Sequence, residues 1–428
     1  MVSKMFRVAF DAIGCKLNQY EIQAIAEALE PYGMTRVGFD EYADIYVVNT
    51  CTVTGRADAD SRNSIRRARR RNPEAKIIAT GCLAELNPSL LKSLDKFALV
   101  AGNSMKQDIP KLVVDMIGGK WSPREVENSI SRMDGHSRAF VKIQDGCADG
   151  CSYCTIWRAR GKPRSRSHSS IIKEINALFE HGYREVILTG VHIGKYRHDF
   201  GLAGLLERII KETPMPRLRL SSLKPNEITP ALLRLYAEQE RICPHLHLSI
   251  QSGSERILSL MGRGYTSSKI ESVIERAIRA RPDTTIGADM MVGFPGETAT
   301  DFGESLKLVE NLPIHLLHVF SYSDRPGTPA SEFPDKVAPA VMRTRHSVVV
   351  RVGEKKQAEH LRRFIGKRLE VVVESRSEGG MVFGTSRNYL KVKFRAGALA
   401  ERSLAEVVII GVENKTLHGE VTACFNKK

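Results

Sequence analysis

The sequence predicts an α/β protein in three parts: a small doubly wound parallel-sheet domain, a partial (β/α)6 barrel and a C-terminal five-stranded β-barrel. Three observations predict it. Short strand-like runs alternate with helical stretches from the amino terminus onward. Six further strand runs, separated by helices, repeat one β/α unit after residue 131. Beyond residue 365 the helices give way to short β runs punctuated by glycine. The expected domains are residues 1–130, 131–364 and 365–428, in keeping with about 150 residues per domain.

In the first part, runs at 6–10, 45–49 and 75–79 read as strands of a small parallel sheet covered by helices. Each leads within a few residues to a cysteine, in Gly14-Cys15, Thr50-Cys51 and Gly81-Cys82. Open parallel sheets bind ligands beyond the carboxyl ends of their strands. Three cysteines distant in sequence can thus meet in space, and a shared metal site is expected. One such cysteine alone would read as a small buried side chain.

The second part opens with a polar linker around Asp134-Gly135-His136, followed by strand runs at 139–143, 185–189, 217–221, 245–250, 285–290 and 315–320. Helical segments such as 170–180 and 267–280 lie between them. After the first strand stands Cys147-x3-Cys151-x2-Cys154, at the end of the barrel where chemistry occurs. An iron–sulfur cube ordinarily takes four thiolates. A local set of three points to a cube with one iron open to a substrate or cofactor. Zinc is the alternative, but structural zinc sites use four ligands in paired knuckles, which are absent from this pattern.

The third part has β runs at 368–374, 388–394, 405–410 and 417–422, punctuated by Gly379-Gly380 and Gly384. Cys243 and Cys424 lack partners in sequence and read as ordinary thiols; His245 and His247 alternate on a strand, as a metal pair would, but read as packed or hydrogen-bonded barrel histidines.

The chain has 428 residues, 42% of them hydrophobic, and a net charge of +15. No run approaches the roughly 18 apolar residues that cross a bilayer, and the amino terminus lacks a signal-peptide pattern. A soluble cytoplasmic protein without membrane contact is expected, in which eight cysteines serve as ligands or buried thiols rather than disulfides. The basic balance points to a polyanionic partner, with a generally basic enzyme as the alternative. Arg66, Arg67, Arg69, Arg70 and Arg71 close a helix, where a solvated helix-end cap competes with phosphate contact. Arg158, Arg160, Lys162, Arg164 and Arg166 follow the cysteine triplet and are expected to frame the mouth of the site for RNA. Arg387, Lys391 and Lys393 add charge to the terminal barrel.

Cys147-x3-Cys151-x2-Cys154 after a first barrel strand resembles the radical S-adenosylmethionine enzymes. Gly14-Cys15-Lys16-Leu17-Asn18-Gln19-Tyr20-Glu21, Asn49-Thr50-Cys51-Thr52-Val53-Thr54 and Thr80-Gly81-Cys82 resemble the amino-terminal domain of the methylthiotransferases. Leu188-Thr189-Gly190-Val191-His192-Ile193-Gly194, Leu248-Ser249-Ile250-Gln251-Ser252-Gly253-Ser254 and Val292-Gly293-Phe294-Pro295-Gly296-Glu297-Thr298 resemble their barrel motifs, and the tail resembles the RNA-binding TRAM domain. Two departures stand out: Trp157-Arg158 where the family often has proline and an aromatic residue, and Lys224 where many relatives are acidic.

The resemblance implies two [4Fe-4S] clusters. Cys147, Cys151 and Cys154 would hold the one that reductively cleaves S-adenosyl-L-methionine; Cys15, Cys51 and Cys82 would hold one that carries sulfur. Gly190, Ser249, Gln251 and Asp289 are expected to bind the cofactor. Ser249 and Gln251 would share one strand face, and Asp289 would be buried among apolar residues. A structural role is the alternative for each. The stretch from Lys16 to Glu21 most resembles the branch that forms the 2-methylthio derivative of N6-threonylcarbamoyladenosine beside the anticodon. The implied partners are a tRNA anticodon stem-loop and an external electron donor. The isopentenyladenosine and ribosomal-protein branches are alternatives, as is a non-catalytic iron–sulfur or zinc-dependent RNA-binding protein.

Overall fold

The structure, a computed structural model, describes residues 6–96, 98–122, 129–198, 200–376, 380–395, 397 and 399–425. Gly379 lies outside the described residues. The chain forms two compact units. The first comprises 1–134, 145–164 and 323–331; the second comprises 135–144, 165–322 and 332–428.

The first unit is built on a five-stranded parallel sheet, of order β2-β1-β3-β4-β5. Its strands are β1 (Arg7–Ala12), β2 (Thr35–Val37), β3 (Ile45–Thr50), β4 (Lys76–Gly81) and β5 (Leu99–Val100). Alternation along each strand divides the core between two faces. Ala9, Tyr46, Val48, Ile77 and Ala79 pack with Ile65 and Ala68 of the helix Gly55–Arg71. Val8, Ile45, Val47 and Ile78 pack with Ile22 and Ile25 of the helix Lys16–Leu29 and with Val113 and Val114 of the helix Ile109–Met116. Helices on both faces make this the doubly wound domain expected. β2 and β5 have three and two residues, too short for a periodic pattern to reveal.

The second unit contains the partial barrel. Its strands are β6 (Ala139–Asp145), β7 (Arg164–Ser165), β8 (Glu185–Gly190), β9 (Arg217–Leu220), β10 (His245–Gln251), β11 (Thr285–Val292) and β12 (Leu316–Ser321). They run in the orders β7-β6-β8-β9 and β10-β11-β12, and parallel bridges Leu218↔Ile242 and Leu223↔Leu248 join the two sheets. All six sequence-predicted strands are present. Ser167, Thr229, Thr266 and Thr298 cap the intervening helices by accepting the backbone N–H of Ser170, Leu232, Lys269 and Asp301.

The tail closes into a five-stranded barrel of order β13-β14-β15-β17-β16. The strands are β13 (Arg368–Arg376), β14 (Met381–Ser386), β15 (Lys391–Arg395), β16 (Leu404–Glu413) and β17 (Thr416–Phe425). Val371, Val373, Val382, Val392, Phe394, Val407, Ile409 and Leu417 fill it. The run expected at 388–394 begins as a turn, with Tyr389 at φ +68°, and becomes a strand only from Lys391.

Ion pairs near the amino ends of β6, β8 and β9 reach the tail barrel, with Arg217 3.9 Å from Glu370 and Arg138 2.8 Å from Glu374. Glu185 and Arg217, each the first residue of its strand, pair at 2.6 Å, and Arg219 pairs with Glu185 at 2.7 Å. Arg217 and Arg219 also donate to the Thr385 and Ser386 carbonyls. Tyr389 stacks on His245 with ring centroids 4.4 Å apart.

Candidate metal centre

In the first unit, β1, β3 and β4 are adjacent and in register at their carboxyl ends, where Ala12 pairs with Asn49, Asn49 with Thr80 and Thr50 with Gly81. Cys15, Cys51 and Cys82 follow these three ends directly. Cys15 caps the helix Lys16–Leu29, and Cys82 opens the helix Cys82–Leu86. Gly14 has φ +91°, and a Cβ there would lie 2.7 Å from the Cys51 Sγ, so only glycine leaves room for that sulfur. Ser61 Oγ accepts the Cys51 N–H and donates to the Cys51 carbonyl, both at 3.0 Å.

Cys15 is exposed, whereas Cys51 and Cys82 are buried. Burial pushes the Cys51 thiol up to about 12, helped by the neighbouring Cys15 and Cys82. Burial also raises Cys82, opposed by the charges of Arg160 and Lys106 and by a hydrogen bond from Arg160. The paired strand ends place the three thiols at one end of the sheet, with the Cys51 sulfur packed against Gly14 of the Cys15 loop. Buried sulfurs of this kind become thiolates when a metal binds them. The donor set therefore fits a thiolate-ligated cluster.

The second triplet lies on the loop after β6, and all of it belongs to the first unit. Gly146, at φ +76°, turns the chain where a Cβ would meet the Lys162 carbonyl oxygen at 2.1 Å. The Cys147 N–H bonds the Gly161 carbonyl, and the Cys154 N–H bonds the Cys151 carbonyl. The N–H of Asp149 reaches the Cys147 Sγ at 3.5 Å, and that of Ile156 the Cys154 Sγ at 3.4 Å. Donors aimed at ligand sulfurs are among the features that tune a cluster's potential. No disulfide forms among the described cysteines.

Residues around the cysteines tie these loops together. Arg160, at the end of the helix Ile156–Arg160, is buried and donates to Asn18 Oδ1 (2.6 Å), both Glu21 carboxylate oxygens (2.8 and 3.1 Å) and Asp145 Oδ1 (3.1 Å). Lys106 Nζ donates to Glu21 at 2.6 Å. Asn18 Nδ2 donates to the Ile13 and Thr50 carbonyls. Arg325, from the returning segment 323–331, donates to Thr52 Oγ1 and Asp58 Oδ2, and the Ala330 N–H bonds the Ser152 carbonyl.

These contacts correct part of the basic reading. Arg160 does not line a mouth; it is an interior ion-pair partner. Arg166, in the second unit, is held by Glu174, Ser170 and the Lys142 carbonyl. Lys162 and Arg164 remain exposed. Of the five arginines that end the helix Gly55–Arg71, Arg67 pairs with Asp11 and Asp40, Arg69 with Asp95 and Arg71 with Asp40, which leaves Arg66 and Arg70 as the more available cations.

The four expected cofactor residues lie in the second unit. A Cβ on Gly190 would meet the Gln144 carbonyl at 2.7 Å, so close packing of β8 on β6 already requires glycine there. Ser249 accepts from Arg263 at its hydroxyl, and from Arg263 and Tyr265 at its carbonyl. Gln251 has φ +72°, and the β10–β11 register shifts between Leu248 and Gln251. Strict alternation therefore does not carry from Ser249 to Gln251. A non-glycine residue in this conformation stores strain of the kind that collects at ligand sites.

Asp289 accepts from His247 Nε2 at 2.9 Å, and His318 Nδ1 lies 3.4 Å away. Burial raises its pKa, but the two imidazoles outweigh it and hold the carboxyl well below the usual range. The ligand atoms of His247, Asp289 and His318 lie within 4.8 Å of one another, a two-histidine, one-carboxylate set suited to a transition metal. Sequence reading missed His318 because the three residues meet only through the pairing of β10, β11 and β12. It also missed Glu227, which hydrogen-bonds His192 and occupies the space a Cβ on Gly194 would need.

A partial parallel barrel led by a three-cysteine loop defines the radical S-adenosylmethionine class. Residues 141–309 match the Radical SAM superfamily, and residues 7–102 match Uncharacterized protein family UPF0004. The chain is 37% identical to the threonylcarbamoyladenosine tRNA methylthiotransferase MtaB of Aquifex aeolicus, over 94% of this chain and 100% of that one. It is 34% identical to the MtaB of Bacillus subtilis, over 91% of each. It is 31% identical to the tRNA-2-methylthio-N(6)-dimethylallyladenosine synthase of Pelotomaculum thermopropionicum, over 99% of each. The chain belongs to the radical S-adenosylmethionine methylthiotransferase family. It is an enzyme of that type, using S-adenosylmethionine and a [4Fe-4S] cluster. In fold it is similar to the radical S-adenosylmethionine methyltransferase TsrM of Kitasatospora setae, with TM-score 0.56 and 17% identity over 76% of this chain and 77% of that one.

Proposed function

We propose that the enzyme inserts a methylthio group at C2 of N6-threonylcarbamoyladenosine beside the anticodon of tRNA. The observation that carries this reading is the presence of two cysteine triplets in one unit, with buried hydrogen bonds tying their loops together. Cys147, Cys151 and Cys154 would hold the [4Fe-4S] cluster, and Cys15, Cys51 and Cys82 a second one. Bound there, the clusters and S-adenosylmethionine supply radical generation at one triplet and sulfur at the other. The chain's own residues shape the two sites. Gly14 and Gly146 let the loops close, the N–H groups of Asp149 and Ile156 face ligand sulfurs, and Gly190, Ser249, Gln251 and Asp289 would border the cofactor. Residues 1–130, 131–364 and 365–428 would act as sulfur-delivering, radical-generating and RNA-binding modules. The electron donor is external, and the compartment is the cytoplasm.

Relatives named for threonylcarbamoyladenosine reach 37% identity, against 31% for the Pelotomaculum synthase named for dimethylallyladenosine. This favours the former substrate and keeps the latter as the second reading. The protein, reconstituted anaerobically and reduced, is to be incubated with S-adenosylmethionine and tRNA carrying one or the other modified adenosine. The expected products are 5′-deoxyadenosine and the methylthio derivative of N6-threonylcarbamoyladenosine. Methylthiolation of dimethylallyladenosine alone would establish the second reading, and no 5′-deoxyadenosine would support a non-catalytic protein.

A further inference from the structure

Arg160 stands six residues after Cys154, yet its side chain serves the other triplet. Its partners Asn18 and Glu21 lie three and six residues after Cys15. Its third partner, Asp145, lies two residues before Cys147. The helix it ends packs against the helix Cys82–Leu86 that Cys82 opens, and its positive charge opposes the burial that raises the Cys82 thiol. Glu21 is met by Arg160 and Lys106, and Asp145 by Arg160 and Arg164. The excess negative charge arises when Cys15, Cys51 and Cys82 become thiolates around a metal. A planar guanidinium has enough fixed donors to hold two carboxylates and an amide oxygen together, and it cannot lose its proton.

We infer that Arg160 is a positioning residue of the amino-terminal centre, fixing its loops to the loop of the second triplet. As a fixed cation beside Cys82 it also raises the reduction potential of the cluster held by Cys15, Cys51 and Cys82. This rests on the two-cluster reading. A positive charge beside a ligand sulfur favours the reduced, more negative cluster, one of the ways proteins set these potentials.

The test uses full-length protein in which Cys147, Cys151 and Cys154 are all replaced by Ala, so that one cluster is read. Potentiometric titration followed by electron paramagnetic resonance gives its midpoint. Arg160→Met should move the midpoint to a more negative value at parental iron and sulfide content, and Arg160→Lys should recover part of the shift. Because Met leaves Glu21 short of a buried partner, Arg160→Met combined with Glu21→Gln serves as the second variant; its midpoint should be compared with that of Glu21→Gln alone and lie below it. An unchanged midpoint in Arg160→Met would overturn the proposal, as would a midpoint in the paired variant equal to that of Glu21→Gln alone. If the parent binds no cluster at Cys15, Cys51 and Cys82, the two-cluster reading itself fails and the proposal with it.

Discussion

In the proposed reading six cysteines divide the chemistry between two triplets, and single substitutions should separate them. Cys151→Ala is expected to abolish 5′-deoxyadenosine formation. Cys51→Ala is expected to spare it, to lower the iron content by half and to block methylthiolation. Iron and sulfide analysis alongside product chromatography checks both; loss of 5′-deoxyadenosine in the two variants alike would contradict the division. The placement of the cysteines at strand ends and on the loop after β6 was legible because each follows a strand-like run or keeps a fixed spacing. Arg160 was not legible, because its partner Glu21 is 139 residues away and its neighbours in sequence form a basic run. Asp289 was recognised as needing a partner, but His247 and His318 reach it only through strand pairing.

At the level of elements, the β/α alternation was strong enough to place all six barrel strands. Three things lay beyond it: very short strands, the irregularity at Gln251, and the return of segment 323–331 to the first unit. The ion-pair network at the amino ends of β8 and β9 was also unreadable, since Arg217 and Arg219 alternate with leucine like any strand residues. Burial would raise the Glu185 pKa, but Arg217, Arg219 and Arg138 hold it far below the usual range. Glu185→Gln leaves two buried guanidinium groups without their anion and should cost about 3–5 kcal/mol. Because the folded pKa is depressed, this stabilisation is present above the unfolded value of about 4.3 and fades as pH falls below it. Calorimetry should therefore show a Tm gap between parent and variant at neutral pH that narrows below about pH 4. A gap that stays constant there would rule out the charged pairing as its source.

For the whole molecule, the net charge of +15 is the signal for a polyanionic partner. None of the described helices is long and apolar enough to cross a membrane. Several of the arginines behind that charge are spent on internal pairs, so the exposed cations Arg66, Arg70, Lys162, Arg164, Lys391 and Arg395 are the candidates for RNA contact. Log-affinity for tRNA should fall linearly with log-salt concentration, and Lys391→Glu with Arg395→Glu should flatten that slope in filter-binding measurements. An unchanged slope would move the RNA surface away from β15. The central claim is the reaction itself, and nucleoside analysis of tRNA from a strain lacking this gene tests it most directly. There 2-methylthio-N6-threonylcarbamoyladenosine should disappear while N6-threonylcarbamoyladenosine persists; an unchanged level of the methylthio derivative would refute the assignment.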